Sequence, residues 1–167
     1  ISRVMEIFQA FPNLIFAMAI MTFMGKGVLN LFIALGLLTW VRTARMIRGS
    51  VIQLKEKEYI EASRACGAST YWIIMKGLVP NCLSTIIVLV TLGIPNAIMY
   101  EASLSFLGIG IQPPTPSWGN MISAAQTFIS FRPVYSIMPG VAIMITVIAF
   151  NIFGDGLRDA LDPKLKN

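Results

Sequence analysis

Residues 58–81 read EYIEASRACGASTYWIIMKGLVPN, a polar and charged stretch with long apolar runs on both sides. A polar island between apolar runs faces water, and its internal order makes it a candidate docking surface. Glu58, Glu61, Ala62 and Ala65 recur at i, i+3, i+4 and i+7, which puts them on one helix face. The alanines on that face allow close approach by another surface, and Glu61 offers a carboxylate for pairing. Gly67 supplies the permissive backbone that ends a helix. Ser69 or Thr70 can cap a second helix, for which Tyr71, Ile74, Met75 and Leu78 are expected to form an apolar stripe. Pro80 suits the first turn of the helix that follows. The stretch therefore predicts a helix, a sharp glycine turn and a second helix that re-enters an apolar phase.

That phase is set by composition. The chain has 167 residues, of which 56% are hydrophobic and 13% charged. Its mean hydropathy is +0.73. A soluble domain carries about 25% charged residues, so this is an integral membrane protein, and the expected class is an all-α helical bundle. With no histidine, imidazole catalysis and histidine metal sites are excluded. Cys66 and Cys82 have no ligand-like spacing and are read as free thiols. The chain begins at Ile1 without a basic leader and is read as the later part of a longer polypeptide. Its net charge of +5 is explained by membrane topology rather than by nucleic acid, and no nucleic-acid partner is expected.

A spanning helix needs about 20 mostly apolar residues. Four spans are expected, over about 7–25, 28–47, 81–100 and 134–154, with Gly25-Lys26-Gly27 as a tight turn and Pro95 as a kink. Residues 48–80 form the intervening loop and 101–133 a second one. Arg42 and Arg45 can snorkel to an interface. Arg42, Arg45, Arg48, Lys55, Lys57, Arg64 and Lys76 fall in the 48–80 region or at its edge. Arg3, Arg158, Lys164 and Lys166 lie at the two ends, whereas the other side has only Lys26 and Arg132. Cytoplasmic loops collect Lys and Arg, so the middle loop and both ends of the chain are expected in the cytoplasm.

Residues 101–133 are neither a clean span nor a polar loop. Glu101 through Gly110 is apolar with small residues, and the prolines of 112–120 (QPPTPSWGN) oppose helix. Trp118 suits a membrane interface. The segment is either a re-entrant element lining the outer mouth of a pathway or a loop that caps the bundle. Glu101, Ser103 and Trp118 are its candidate pathway or gate residues; Glu101 can equally reach interfacial water.

Glu61-Ala62-Ser63, Gly67 and Leu78-Val79-Pro80 together resemble the cytoplasmic "EAA loop" of permease subunits of binding-protein-dependent ABC importers. That pattern has Glu-Ala-Ala, a Gly after three residues, and an apolar pair with Pro about a dozen further on; Ser63 and Val79 are mild departures. EASLSFLGIGIQPPTPSWGNMI from Glu101 and FNIFGDGLRDALDP from Phe150 resemble the dipeptide, oligopeptide and nickel branch, as do the Phe11-Pro12 entry and the Arg45 to Gly49 exit. The resemblance covers nearly the whole chain. It implies that Glu58, Glu61, Ala62, Gly67, Ala68, Ser69 and Pro80 belong to a loop that couples to an ATPase. It also implies a second permease subunit of similar fold, two ABC ATPase subunits, an extracytoplasmic solute-binding protein and a bacterial or archaeal cytoplasmic membrane.

Each motif has a plainer reading. Glu61 can be a solvated carboxylate paired with Lys57 at i−4. Asp155, Arg158, Asp159 and Asp162 can be a solvated helix end, with Arg158 and Asp162 paired. The ten methionines are bundle filler rather than a metal pathway. Gly108-x-Gly110 and Gly25-Lys26-Gly27 lack a nucleotide signature, so no catalytic, metal or cofactor site is expected here, and ATP with Mg belongs to partner subunits. The expected function is a permease for peptides, nickel or other small solutes. The alternative is an ion-gradient-driven secondary transporter or channel, which the uncharged span centres disfavour.

Overall fold

The structure is a computed structural model that describes residues 3, 5, 6, 8 and 11–161. Its helices are α1 (Asn13–Met24), α2 (Val28–Leu54), α3 (Glu58–Ala65), α4 (Thr70–Phe106), α5 (Trp118–Ala125) and α6 (Val134–Leu161). A 3₁₀ turn, Gln126–Phe128, extends α5. Among the described residues α2, α4 and α6 are long and apolar enough to cross a membrane, while α1 is a shorter apolar helix.

The long helices outrun the spans expected from hydropathy. At 1.5 Å per residue, the 37 residues of α4 cover about 55 Å, against about 30 Å of hydrocarbon. Within 48–80 most residues are helical, as the expected helix–glycine–helix element requires, whereas 101–133 holds the end of α4, α5 and its 3₁₀ turn with non-helical chain between and after them. Charge lowers hydropathy but does not stop a helix, and Arg42, Arg45 and Arg48 all lie within α2. α4 begins at Thr70, well before the expected start near residue 81, and runs through Pro95 without interruption to Phe106. Residues 7, 9 and 10 of the first expected span lie outside the described residues.

The chain divides into two compact units. The first comprises Ile1–Val41 and Gly93–Asn151. Its core is Ala17 and Met21 of α1, Leu31 and Ala34 of α2 and Leu104 of α4, with Ile109 and Ile111 packed against them. The turn between α1 and α2 is closed by Asn30, whose Nδ2 donates to the carbonyls of Met24 (2.7 Å) and Gly25 (3.0 Å). These bonds satisfy carbonyls that the end of α1 leaves without an intrahelical partner.

The second unit comprises Arg42–Leu92 and Ile152–Asn167. Ile60, Ile73, Cys82 and Thr91 are buried there. Gly154 lets α6 approach α4 closely: a Cβ at 154 would lie 2.6 Å from Leu92 Cδ2. The small residue trades side-chain volume for helix contact, as helix pairs in membranes do.

Candidate functional site

In the second unit, the 58–81 stretch folds as a helix, a turn and a helix. Glu58 and Glu61 stand in the first turn of α3 and Arg64 in its last, each complementing the helix dipole. Gly67 closes the helix with φ at +78°. Its N–H donates to the Arg64 carbonyl at 2.9 Å, and the Ala68 N–H reaches the Ser63 carbonyl at 3.0 Å. This pair of bonds defines a Schellman stop, which needs a left-handed residue at the turn. Ser69 caps α4, accepting from the Trp72 N–H at 3.2 Å.

Residues Ile73–Leu78 of α4 are π-helical. The wide turn ends two residues before Pro80, whose ring would crowd the carbonyl four residues back in a regular α-helix. Pro80 thus lies in the first turn of the α-helical part, but that part continues α4 rather than starting a helix. The wider winding also changes which residues face inward. Ile73 and Gly77 are buried, whereas Tyr71, Ile74 and Met75 are exposed and Leu78 is half-buried, so the expected apolar stripe is not the packed face.

The packed face was missed in the sequence. Ile60, at 1% exposure, is the inward residue of α3 and lies against Gly77. The Tyr59 hydroxyl donates to the Gly77 carbonyl at 3.3 Å, and Asn81 Nδ2 donates to the same oxygen at 2.7 Å. A lone Ile within a polar run carries no strong periodic signal; only Tyr-Ile beside the later Gly hinted at it. With Ile60 inward, Glu58, Glu61, Ala62, Ala65 and Gly67 are all exposed, as are Ser69 and Pro80, and Ala68 is half-buried. Among the described residues Lys57 and Glu61 form no ion pair, so the carboxylate is available.

In the first unit, α4 ends at a second Schellman stop. Gly108, with φ at +75°, donates to the Ser105 carbonyl at 3.0 Å, and Ile109 N–H donates to the Leu104 carbonyl at 2.9 Å. The chain then folds back on the helix it has left. Ser105 is 1% exposed; its Oγ donates to Glu101 Oε1 at 2.7 Å and accepts from the Ile111 N–H at 3.0 Å. Gly110 lies directly against Ser105. At Gly119 a Cβ would stand 2.5 Å from the Ala102 carbonyl oxygen, so α5 crosses α4 at backbone contact. Ser117 caps α5 by accepting from the Asn120 N–H at 3.1 Å.

This fold-back bounds an open cavity of about 540 Å³, whose wall includes Leu31, Leu35, Ile98, Glu101, Trp118 and Met121. Two of the three candidate gate residues, Glu101 and Trp118, are therefore brought together. Ser103 is not among the lining residues; its Oγ donates to the Met99 carbonyl at 2.7 Å. Asp155, Arg158 and Asp159 are exposed at the end of α6, and Asp162 lies outside the described residues.

Among the described residues, three helices long and apolar enough to cross a membrane, with a helix–glycine–helix element in the polar stretch, fit the class of multi-pass membrane proteins. The chain belongs to the binding-protein-dependent transport system inner membrane component family, whose model matches residues 1–167. It is 42% identical over 166 residues to the glutathione transport system permease protein GsiD of Shigella flexneri serotype 5b, covering 99% of this chain and 55% of that protein. GsiD of Escherichia coli strain UTI89 is 42% identical over 164 residues, covering 98% of this chain and 54% of that protein. The chain thus spans about half the length of these curated relatives.

Proposed function

We propose that this chain is part of the permease subunit of an ATP-driven importer, with α3 as the element that docks on an ATPase subunit. The observation that carries the reading is the two-sidedness of α3. One side is pinned through Ile60 to Gly77, and the other presents Glu58, Glu61 and Ala62 without a partner among the described residues. A short helix fixed from behind with small and acidic residues in front is built to be gripped. The assembly it implies has a second permease subunit of similar fold, two ABC ATPases that hold ATP and Mg, and an extracytoplasmic solute-binding protein, all in membrane lipid.

The basic residues of 42–76 and both chain ends then face the cytoplasm, and residues 101–133 face outward. Closure of the ATPase pair would pull on α3 and the start of α4, and the permease would alternate between inward and outward openings. Peptides are the favoured cargo, in keeping with the glutathione permeases among the relatives.

The test uses the full-length protein co-expressed with its ATPase, with wild type, Gly67→Val and Glu61→Lys compared in a membrane pull-down after each is shown to insert. Retention by wild type and loss by both variants is expected. Equal retention by all three, or none by any, would remove the docking assignment and favour a gradient-driven carrier.

A further inference from the structure

We infer that the cavity beneath the fold-back is a recognition site for the ammonium group of an amphipathic cation, the class to which a peptide N-terminus belongs. The inference deepens the permease reading and rests on it. Among the described residues that line the cavity Glu101 is the one ionisable group, and it is half-buried. Ser105 has a single proton and spends it on Glu101 Oε1, while the Ile111 N–H is given to the Ser105 oxygen. This fixes the carboxylate and leaves Oε2 without a donor among the described residues. None of them places a cation within ion-pair distance of it. A carboxylate set in an apolar wall without a counter-charge is costly, so the geometry calls for a cation from outside.

The rest of the wall decides which cation. It is aliphatic and aromatic, with Leu31, Phe32, Leu35, Ile98 and Met121 around Trp118. One carboxylate cannot supply the six or more oxygens a hard metal ion takes. No group of three acidic or sulfur ligands suited to a metal occurs among the described residues. An ammonium with an apolar neighbour satisfies both parts of the wall: charge meets Glu101, side chains meet the aliphatic surface, and the Trp118 ring offers a cation–π face. The volume of about 540 Å³ is within the range of about 300–1,000 Å³ usual for small-molecule sites.

Trp118 reports on the site directly. The experiment takes the full-length permease assembled with its subunits in nanodiscs, with Trp118 as the single tryptophan of the permease and the partner subunits free of tryptophan. Emission is followed during titration with leucyl-alanine amide, which carries a free ammonium and no carboxylate, and with its N-acetylated form. A saturable change with the free amine and none with the acetylated form is expected. Glu101→Gln keeps the acceptor that Ser105 uses but removes the charge, and should weaken the response about tenfold or more. Glu101→Asp should recover part of it. The inference is overturned if both probes act equally, if neither acts, or if Glu101→Gln responds like wild type. A response seen in the isolated permease but lost on assembly also overturns it, because a neighbouring subunit then occupies the carboxylate. ATPase retention measured on the same preparations separates failure of this site from failure of the docking reading, since Glu101 is not in the docking helix.

Discussion

Ile60 and Gly77 are in close contact: a Cβ at position 77 would lie 2.8 Å from Ile60 Cδ1, so the tip of that side chain would have to shift. This contact orients α3. With Ile60 turned toward α4, the residues at 58, 61 and 62 must turn away from it, because a helix advances about 100° per residue. The exposed face of α3 is therefore specified by a residue that does not belong to it.

Gly77→Val should displace α3 and reduce ATPase retention although Glu61 is untouched. Shortening the opposing side chain makes space, so Ile60→Ala combined with Gly77→Val should bind better than Gly77→Val alone. Co-purified ATPase per permease is the measurement; an additive loss in the double variant would show that the two residues are not coupled.

Ile60→Ala alone should loosen α3 locally, by about 2–5 kcal/mol for a fully buried aliphatic side chain. Amide exchange should rise across Glu58–Ala65 and stay unchanged across Trp118–Ala125, which belongs to the other compact unit.

At Gly67, with φ at +78°, any Cβ meets the left-handed penalty of about 1–2 kcal/mol. Gly67→Ala should lower the melting temperature and raise exchange at Ala68, whose N–H depends on the Schellman geometry. Gly67→Asn should cost less, since Asn tolerates that conformation better.

Gly119→Ala should be severe, because the added carbon would meet the Ala102 carbonyl oxygen at 2.5 Å and backbone cannot rotate away. Gly93, within α4, has nothing within 4 Å of a built Cβ. Gly93→Ala should instead stabilise the helix by about 0.5–1 kcal/mol. Thermal unfolding of the two variants should shift in opposite directions.

Ser105→Ala removes the hydroxyl between Glu101 and Ile111 and leaves the Ile111 N–H without its acceptor, at a cost of about 1–3 kcal/mol. Exchange of the Ile111 amide should rise more than that of Ile109, which donates to the Leu104 carbonyl instead.

Much of this was legible in the chain alone. Low charge and apolar runs identify a membrane bundle, since hydrocarbon admits few charges. Gly67 and Ser69 mark a helix stop and a helix start because their chemistry acts within a few residues, and Schellman and cap bonds form locally. The exposed Glu58–Glu61–Ala62 face follows from helical periodicity for the same reason. The helix ends were less legible, because hydropathy senses where charge begins and not where hydrogen bonding stops; Thr70 to Phe106 is one helix across both kinds of residue.

What only the tertiary structure decided are the pairings between positions far apart in sequence. Ile60 with Gly77 and Gly119 with Ala102 each depend on two segments meeting at a distance set by packing. Neither partner carries a local mark of the other. A glycine looks the same in sequence whether it frees the backbone, as at 67, or admits a neighbour, as at 77 and 119. Close packing selects between these uses, because whether a Cβ would fit depends on atoms supplied by the rest of the fold.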